Sequence, residues 1–204
     1  EDTILVSLIL ANNELGTLNP VKTIAAFLRS REILVHTDAV QALGKIPLDM
    51  DDLGVDMITV SGHKVHAPKG IGLLFLRETL REEISPLIHG GGQEFGLRGG
   101  TENMPYIMGF AKACELLDGN ESYIAGLRDS FEQILLQKIP DIRINGNLEQ
   151  RVCSISNITF RGIDAEMLIG YLPDLCFSLG SACTSGSEEP SHVLTAVGMA
   201  AAEA

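Results

Sequence analysis

Apolar residues along this chain gather into short runs separated by longer stretches of helical periodicity. Ile4 to Leu10 is an apolar run that ends in the polar turn Ala11-Asn12-Asn13-Glu14-Leu15-Gly16. Residues 20–31 open on Pro20 and then repeat apolar side chains at helical spacing. That pattern predicts a crossover helix leading to a strand over 33–37, which makes a βαβ unit. Two further runs, Met57-Ile58-Thr59-Val60 and Ile71-Gly72-Leu73-Leu74-Phe75-Leu76, flank the polar decapeptide Ser61 to Gly70. The decapeptide therefore reads as a loop between two buried strands. These runs together predict α/β structure with a mostly parallel sheet.

The pattern changes further on. Helical periodicity covers about 104–118 and 121–138; short strand signals follow at 142–144 and 153–160, then a helix at 164–172, a strand near 175–178 and a helix at 191–198. This second part reads as a smaller α+β domain with its boundary near residue 120. No internal repeat is present.

Composition narrows the class. With 204 residues, 45% of them hydrophobic and 21% charged, the chain can bury a core and is not disordered. A formal charge of −12 argues against nucleic acid or an anionic membrane surface as partner, since both select basic patches. No run approaches the roughly eighteen apolar residues that a membrane span needs. Cys114, Cys153, Cys176 and Cys183 form no CxxC pair and no metal-ligand spacing with the histidines, so no metal site is expected. Free thiols in a reducing, cytoplasmic setting fit best. The first three cysteines lie in apolar segments and read as small buried hydrophobes.

Candidate chemistry collects where strands end. In open parallel sheets ligands bind at the carboxyl ends of the strands, and three such ends here carry Asn13, then Asp38 and Gln41, then Ser61, His63 and Lys64. A lysine lodged among apolar strands loses hydration as a cation, which lowers its pKa and leaves an amine able to hold a carbonyl as an imine. A turn lysine with its ammonium in water is the alternative. Asp38 suits a pyridinium partner in pyridoxal phosphate chemistry, where the protonated ring is the electron sink, and it equally suits a turn or cap. A second element, Ser178 to Pro190, places Cys183 among glycine and serine residues that cannot pack, so a mobile loop presenting one thiol is expected.

Taken in order with Gly90-Gly91-Gly92-Gln93-Glu94, Leu97-Arg98-Gly99-Gly100-Thr101-Glu102-Asn103 and Gly180-Ser181-Ala182-Cys183-Thr184-Ser185-Gly186, these strand ends resemble the cysteine desulfurases. That family is the class V aminotransferase-like branch of fold-type I enzymes dependent on pyridoxal phosphate (PLP). The resemblance covers almost the whole chain. It implies a partial large PLP-binding domain over 1–119 and a partial small C-terminal domain with the mobile cysteine loop over 120–204. It also implies conversion of L-cysteine to L-alanine, with the sulfur carried as a persulfide to an acceptor or scaffold protein of iron–sulfur cluster assembly. Lys64 would hold PLP and shuttle protons, Asp38 would pair with the ring nitrogen, and Gln41 and Asn13 would face the phenolic oxygen. Ser61 and His63 would contact the phosphate, Thr101 would reach the phosphate in a neighbouring subunit of a homodimer, and Cys183 would take the sulfur.

The match has departures. Ala67 stands where glycine is usual, Phe95 where arginine is common, and Gly99 and Leu179 where serine is usual. The resembled family carries a Gly-Ala-Thr phosphate turn and a ring-stacking histidine before the region matched here, and a carboxylate-binding arginine after it. The chain is therefore expected to be the second part of a longer polypeptide. A selenocysteine lyase or aminotransferase on the same scaffold, and a catalytically silent fragment, remain open at this point.

Overall fold

The computed structural model describes residues 2–179, 190–200 and 203. The chain divides into two compact units, one made of Glu1–Ala11 with Asn19–Glu121 and the other of Asn12–Leu18 with Ser122–Ala204.

The first unit is built on a four-stranded sheet in the order β1 (Leu5–Ile9), β2 (Leu34–Asp38), β3 (Met57–Ser61), β4 (Gly72–Leu76). β1 pairs with β2 and β2 with β3 in parallel, through the crossover helix α1 (Val21–Arg29) and the single-turn helix α2 (Met50–Leu53). α1 buries Val21, Ala25 and Leu28, spaced at one helical stripe. The sequence pattern leaves α2 unrecognised, although its signals are present. Asp49 accepts the N–H groups of Asp51 and Asp52, and Gly54 ends the turn in the left-handed conformation.

β4 corrects one expectation, that both strands flanking the decapeptide are buried. It runs antiparallel to β3, with Ser61 opposite Gly72 and Met57 opposite Leu76, so the decapeptide is the bend of a hairpin. β3 buries Met57 and Ile58, whereas Leu73, Leu74 and Phe75 of β4 are about half exposed, so only one of the two flanking strands is buried in this chain. It lies at the sheet edge, where β3 is its one neighbouring strand among the described residues. The sheet is otherwise as expected, α/β and mostly parallel.

α3 (Met104–Glu115) is capped by Asn103 and sends Phe110 onto Val65 and Ala67. In the second unit α4 (Glu121–Lys138) precedes an antiparallel pair, β5 (Ile142–Ile144) and β6 (Ile158–Phe160), followed by α5 (Ala165–Tyr171) and α6 (His192–Ala196). The segment 12–18 hooks into this unit: Leu18 N–H donates to Gln150 O, Val152 N–H donates to Gly16 O, and Ser191 Oγ donates to the buried Glu14 carboxylate at 2.6 Å. Leu15 packs there with Leu194 and Met199. The strand expected over 153–160 shortens to three residues, because residues before it form a turn. That expected near 175–178 is not formed, as Leu175, Cys176 and Phe177 are exposed and find no pairing partner among the described residues.

Buried charge in the second unit is paired. Arg151 donates to both carboxylate oxygens of Glu132 at 2.8 and 2.7 Å, and Ser156 Oγ adds a third bond at 2.7 Å. Burial raises the Glu132 pKa, but the hydrogen bonds from Arg151 and Ser156 and the positive field of Arg151 and Arg128 outweigh it. The net result holds the carboxyl below the usual glutamate value.

Candidate active site

Because β1, β2 and β3 are parallel, their carboxyl ends lie along one edge of the sheet. Asp38 is the last residue of β2 and stands in register with Thr59 of β3, so Asp38 and Ser61 share a face of the sheet one residue pair apart. Asp38 Oδ1 accepts the N–H of Val40 at 2.9 Å, an Asx turn that fixes the carboxyl and leaves Oδ2 to a ligand. The chain then makes a helical turn, with Leu43 N–H donating to Ala39 O at 3.1 Å and Lys45 N–H donating to Ala42 O at 2.9 Å. Gln41 lies on that turn, and its Oε1 accepts from Lys45 Nζ at 2.7 Å.

After Ser61 the chain folds into a 3-10 turn over Gly62–Val65 that ends on His66 with φ 66°. Gly62 N–H donates to Ile71 O at 3.0 Å and Ala67 N–H donates to Gly62 O at 3.0 Å, closing the bend on itself. Gly62 is required: a Cβ at this position would meet Ile71 Cγ2 at 2.9 Å and Ala67 Cβ at 3.0 Å. Val65 and Ala67 are buried against Phe110, with Leu43, Val60 and Ile71 around them, and their anchorage holds His63, Lys64 and His66 outward. The Ala67 methyl thus belongs to the core beneath the loop. Ser61 Oγ and His63 Nδ1 are 2.8 Å apart, which sets the imidazole plane and directs Nε2 away from the strand.

Lys64 is a further correction. The sequence suggests an amine desolvated among strands, but the side chain is exposed, because the 3-10 turn gives the inward position to Val65. In this chain the described residues supply no apolar enclosure around it.

The remaining candidates lie on other segments. Asn13 is exposed on the 12–18 hook, grouped with the second unit. Thr101 is exposed after a glycine-rich crossing in which Gly90 and Gly99 touch backbone to backbone; a Cβ on Gly99 would lie 2.7 Å from Gly90 Cα. Beside it Glu94 and Phe95 both adopt left-handed φ, and the Arg81 guanidinium covers the Phe95 ring at 4.2 Å. Cys183 lies outside the described residues. Of the cysteines expected to be buried, only Cys153 is; Cys114 and Cys176 are exposed on α3 and in the segment after α5, and partial desolvation pushes the Cys114 thiol pKa up, away from the reactive thiolate.

Sequence reasoning passes over one group. His36, on the face of β2 that carries Asp38, bonds through Nδ1 to Ser7 Oγ at 2.7 Å and through Nε2 to Thr59 Oγ1 at 3.1 Å. The alternation of β2 and the two flanking hydroxyl residues are its only signal. Among the described residues there is no His, Cys, Asp or Glu group able to hold a metal ion, and no helix long and apolar enough to cross a membrane.

The aminotransferase class-V family model matches residues 1–201. A cysteine desulfurase of Nostoc sp. is 50% identical over 204 residues, covering 97% of this chain and 50% of that protein. A solved NifS-like protein of Rickettsia africae superposes with a TM-score of 0.85 at 36% identity, covering 98% of this chain and 53% of that one. SspA, solved in complex with cysteine, superposes with a TM-score of 0.80 at 37% identity, covering 99% of this chain and 56% of that one. The chain spans about half the length of the curated relatives it matches.

Proposed function

This chain belongs to the class-V aminotransferase family, and from that premise we propose that the protein is a PLP-dependent cysteine desulfurase. It converts L-cysteine to L-alanine and passes the sulfur, as a persulfide on Cys183, to an acceptor or scaffold of iron–sulfur cluster assembly. The observation that carries this reading is the edge of the sheet. There Asp38 presents a locally fixed carboxylate, Gln41 a fixed amide, Ser61 and His63 a hydrogen-bonded pair, and Lys64 an amine, on consecutive strand ends. The donor set fits PLP. A carboxylate suits a protonated ring nitrogen, an amide suits the phenolic oxygen, a hydroxyl and an imidazole suit a phosphate, and an exposed amine is accessible to an aldehyde.

PLP supplies an electron sink for charge developing at the substrate's α-carbon. The residues of this chain do the rest. Lys64 would hold the cofactor covalently and move protons at the α-carbon, taking one up as the amine and giving one back as the ammonium. Asp38 keeps the ring nitrogen protonated through charge and hydrogen bonding. Ser61 and His63 hold the phosphate, Gln41 faces the phenolic oxygen, and the family resemblance gives Asn13 the same partner. Thr101 completes the phosphate site of a partner subunit in a homodimer. Cys183, as thiolate, would attack the substrate sulfur, forming the persulfide S–S bond as the substrate's C–S bond breaks and its electron pair passes to the carbon that is then protonated to give alanine. The cytoplasm, with its reduced thiols, is the compartment in which a free cysteine of this kind works.

Borohydride reduction of the PLP-loaded protein followed by peptide mapping tests the assignment. The label is expected on Lys64 and absent from Lys64→Ala; label on Lys45 or Lys69 contradicts it.

A further inference from the structure

We propose that Lys45 is a positioning residue that acts through Gln41, turning the amide so that its NH2 group rather than its carbonyl is presented to the cofactor's phenolic oxygen. The inference rests on the proposed function, because it takes PLP as the ligand of Gln41. Lys45 Nζ and Gln41 Oε1 are 2.7 Å apart. An ammonium has three donors and no acceptor, so the amide atom that faces it has to be the oxygen. Nε2 is then the atom left to a ligand, and it can only donate.

The geometry leaves this arrangement little freedom. Residues 41 and 45 are one helical turn apart on the same side of the turn that follows β2. Gly44 between them has φ 70°, and a Cβ there would lie 2.8 Å from Leu117 Cδ2, so the backbone that delivers Lys45 is held against Leu117. Gln41 and Lys45 are both half-buried, which limits competition from water. The same turn spends Asp38 Oδ1 on Val40 N–H. One acceptor, Asp38 Oδ2, and one donor, Gln41 Nε2, are thus presented from a single turn, the pair of polarities that a protonated ring nitrogen and a phenolate oxygen require. The ammonium also polarises the amide it touches and makes its N–H groups stronger donors.

The pH at which the imine's visible band gives way to its near-ultraviolet form reads this directly. A donor on the phenolate stabilises the form that has lost the imine proton, so it lowers that midpoint. In the intact PLP-loaded protein Lys45→Met is expected to raise the midpoint by several tenths of a unit and to speed PLP release. Lys45→Arg, which also only donates, is expected to restore both. The other charged groups of this turn and of the crevice it lines with Leu117, Gly119 and Glu121 are Asp38 and Glu121, with Asp118 in the segment between. Because Lys45→Arg keeps the charge facing them, Gln41→Leu is needed as a background that separates a charge effect from one carried by the amide: there Lys45→Met is expected to add nothing. Lys45→Ala is read in the same way where the methionine variant fails to fold. A normal band on Lys64 with an unmoved midpoint in the Lys45 variants, or an equal shift in the Gln41→Leu background, overturns this inference while leaving the proposed function in place. Absence of any band on Lys64 in the parent overturns that function and this inference with it.

Discussion

His63 shows how much of the candidate site is decided by one neighbour. Its Nδ1 is bonded to Ser61 Oγ at 2.8 Å, so the ring is oriented before any phosphate arrives. Under the proposed function Ser61→Ala removes that restraint together with one phosphate contact, and a hydrogen bond to a charged group is worth about 1.5–3 kcal/mol. PLP affinity is expected to fall about tenfold or more by equilibrium dialysis, with borohydride label still on Lys64. An unchanged dissociation constant would remove Ser61 from the site. Cys183 serves the sulfur step alone under the proposed function. Cys183→Ser is expected to keep the imine spectrum and lose sulfide release from cysteine, and a serine variant releasing sulfide at the parent rate would exclude Cys183 as the sulfur carrier.

Elements carry the next layer of cause. Gly62→Ala forces a methyl to within 2.9 Å of Ile71 Cγ2 in a buried bend, so overpacking of about 1–3 kcal/mol is expected, read as a lower denaturation midpoint. In the second unit Glu132 contributes stability because its folded pKa lies below its unfolded value. The contribution is full above the ordinary glutamate range and is lost as pH falls through the depressed folded value. Urea titrations from neutral pH into that acidic window should show the parent losing stability and Glu132→Gln losing less of it. The variant should begin about 1.5–3 kcal/mol lower at neutral pH, since buried Arg151 loses its two-bond carboxylate partner and keeps only the half-exposed Asp129 as counter-charge. A parallel pH dependence in both proteins would rule Glu132 out.

The elements legible in the sequence are those whose apolar period matches their burial. α1, with Val21, Ala25 and Leu28, and β2, with Val35 and Thr37, both alternate or repeat against a core. β4 is legible as a strand, but its direction is not, because a six-residue apolar run does not say whether the loop before it turns back or crosses over. The 12–18 hook was illegible, since its partners Gln150, Val152 and Ser191 lie more than a hundred residues away in sequence. At the candidate site the placement of Asp38, Ser61, His63 and Lys64 at strand ends is legible from the apolar runs before them. The exposure of Lys64 was missed because a 3-10 turn, and not the strand, decides which side chain points inward.

For the whole molecule, the formal charge of −12 disfavours polyanionic partners, and the half-exposed Leu73, Leu74 and Phe75 mark β4 as the least protected part of the sheet. The proposed function turns on the chemistry at the sheet edge, where it assigns an amine, a carboxylate and a hydroxyl–imidazole pair to one cofactor. The most direct measurement supplies the intact PLP-loaded protein with L-cysteine and a thiol reductant and quantifies alanine and sulfide over time. Alanine and sulfide in equal amounts, both lost in Lys64→Ala, are the predicted result. Pyruvate in place of alanine, or alanine formed at the parent rate by Lys64→Ala, would contradict it.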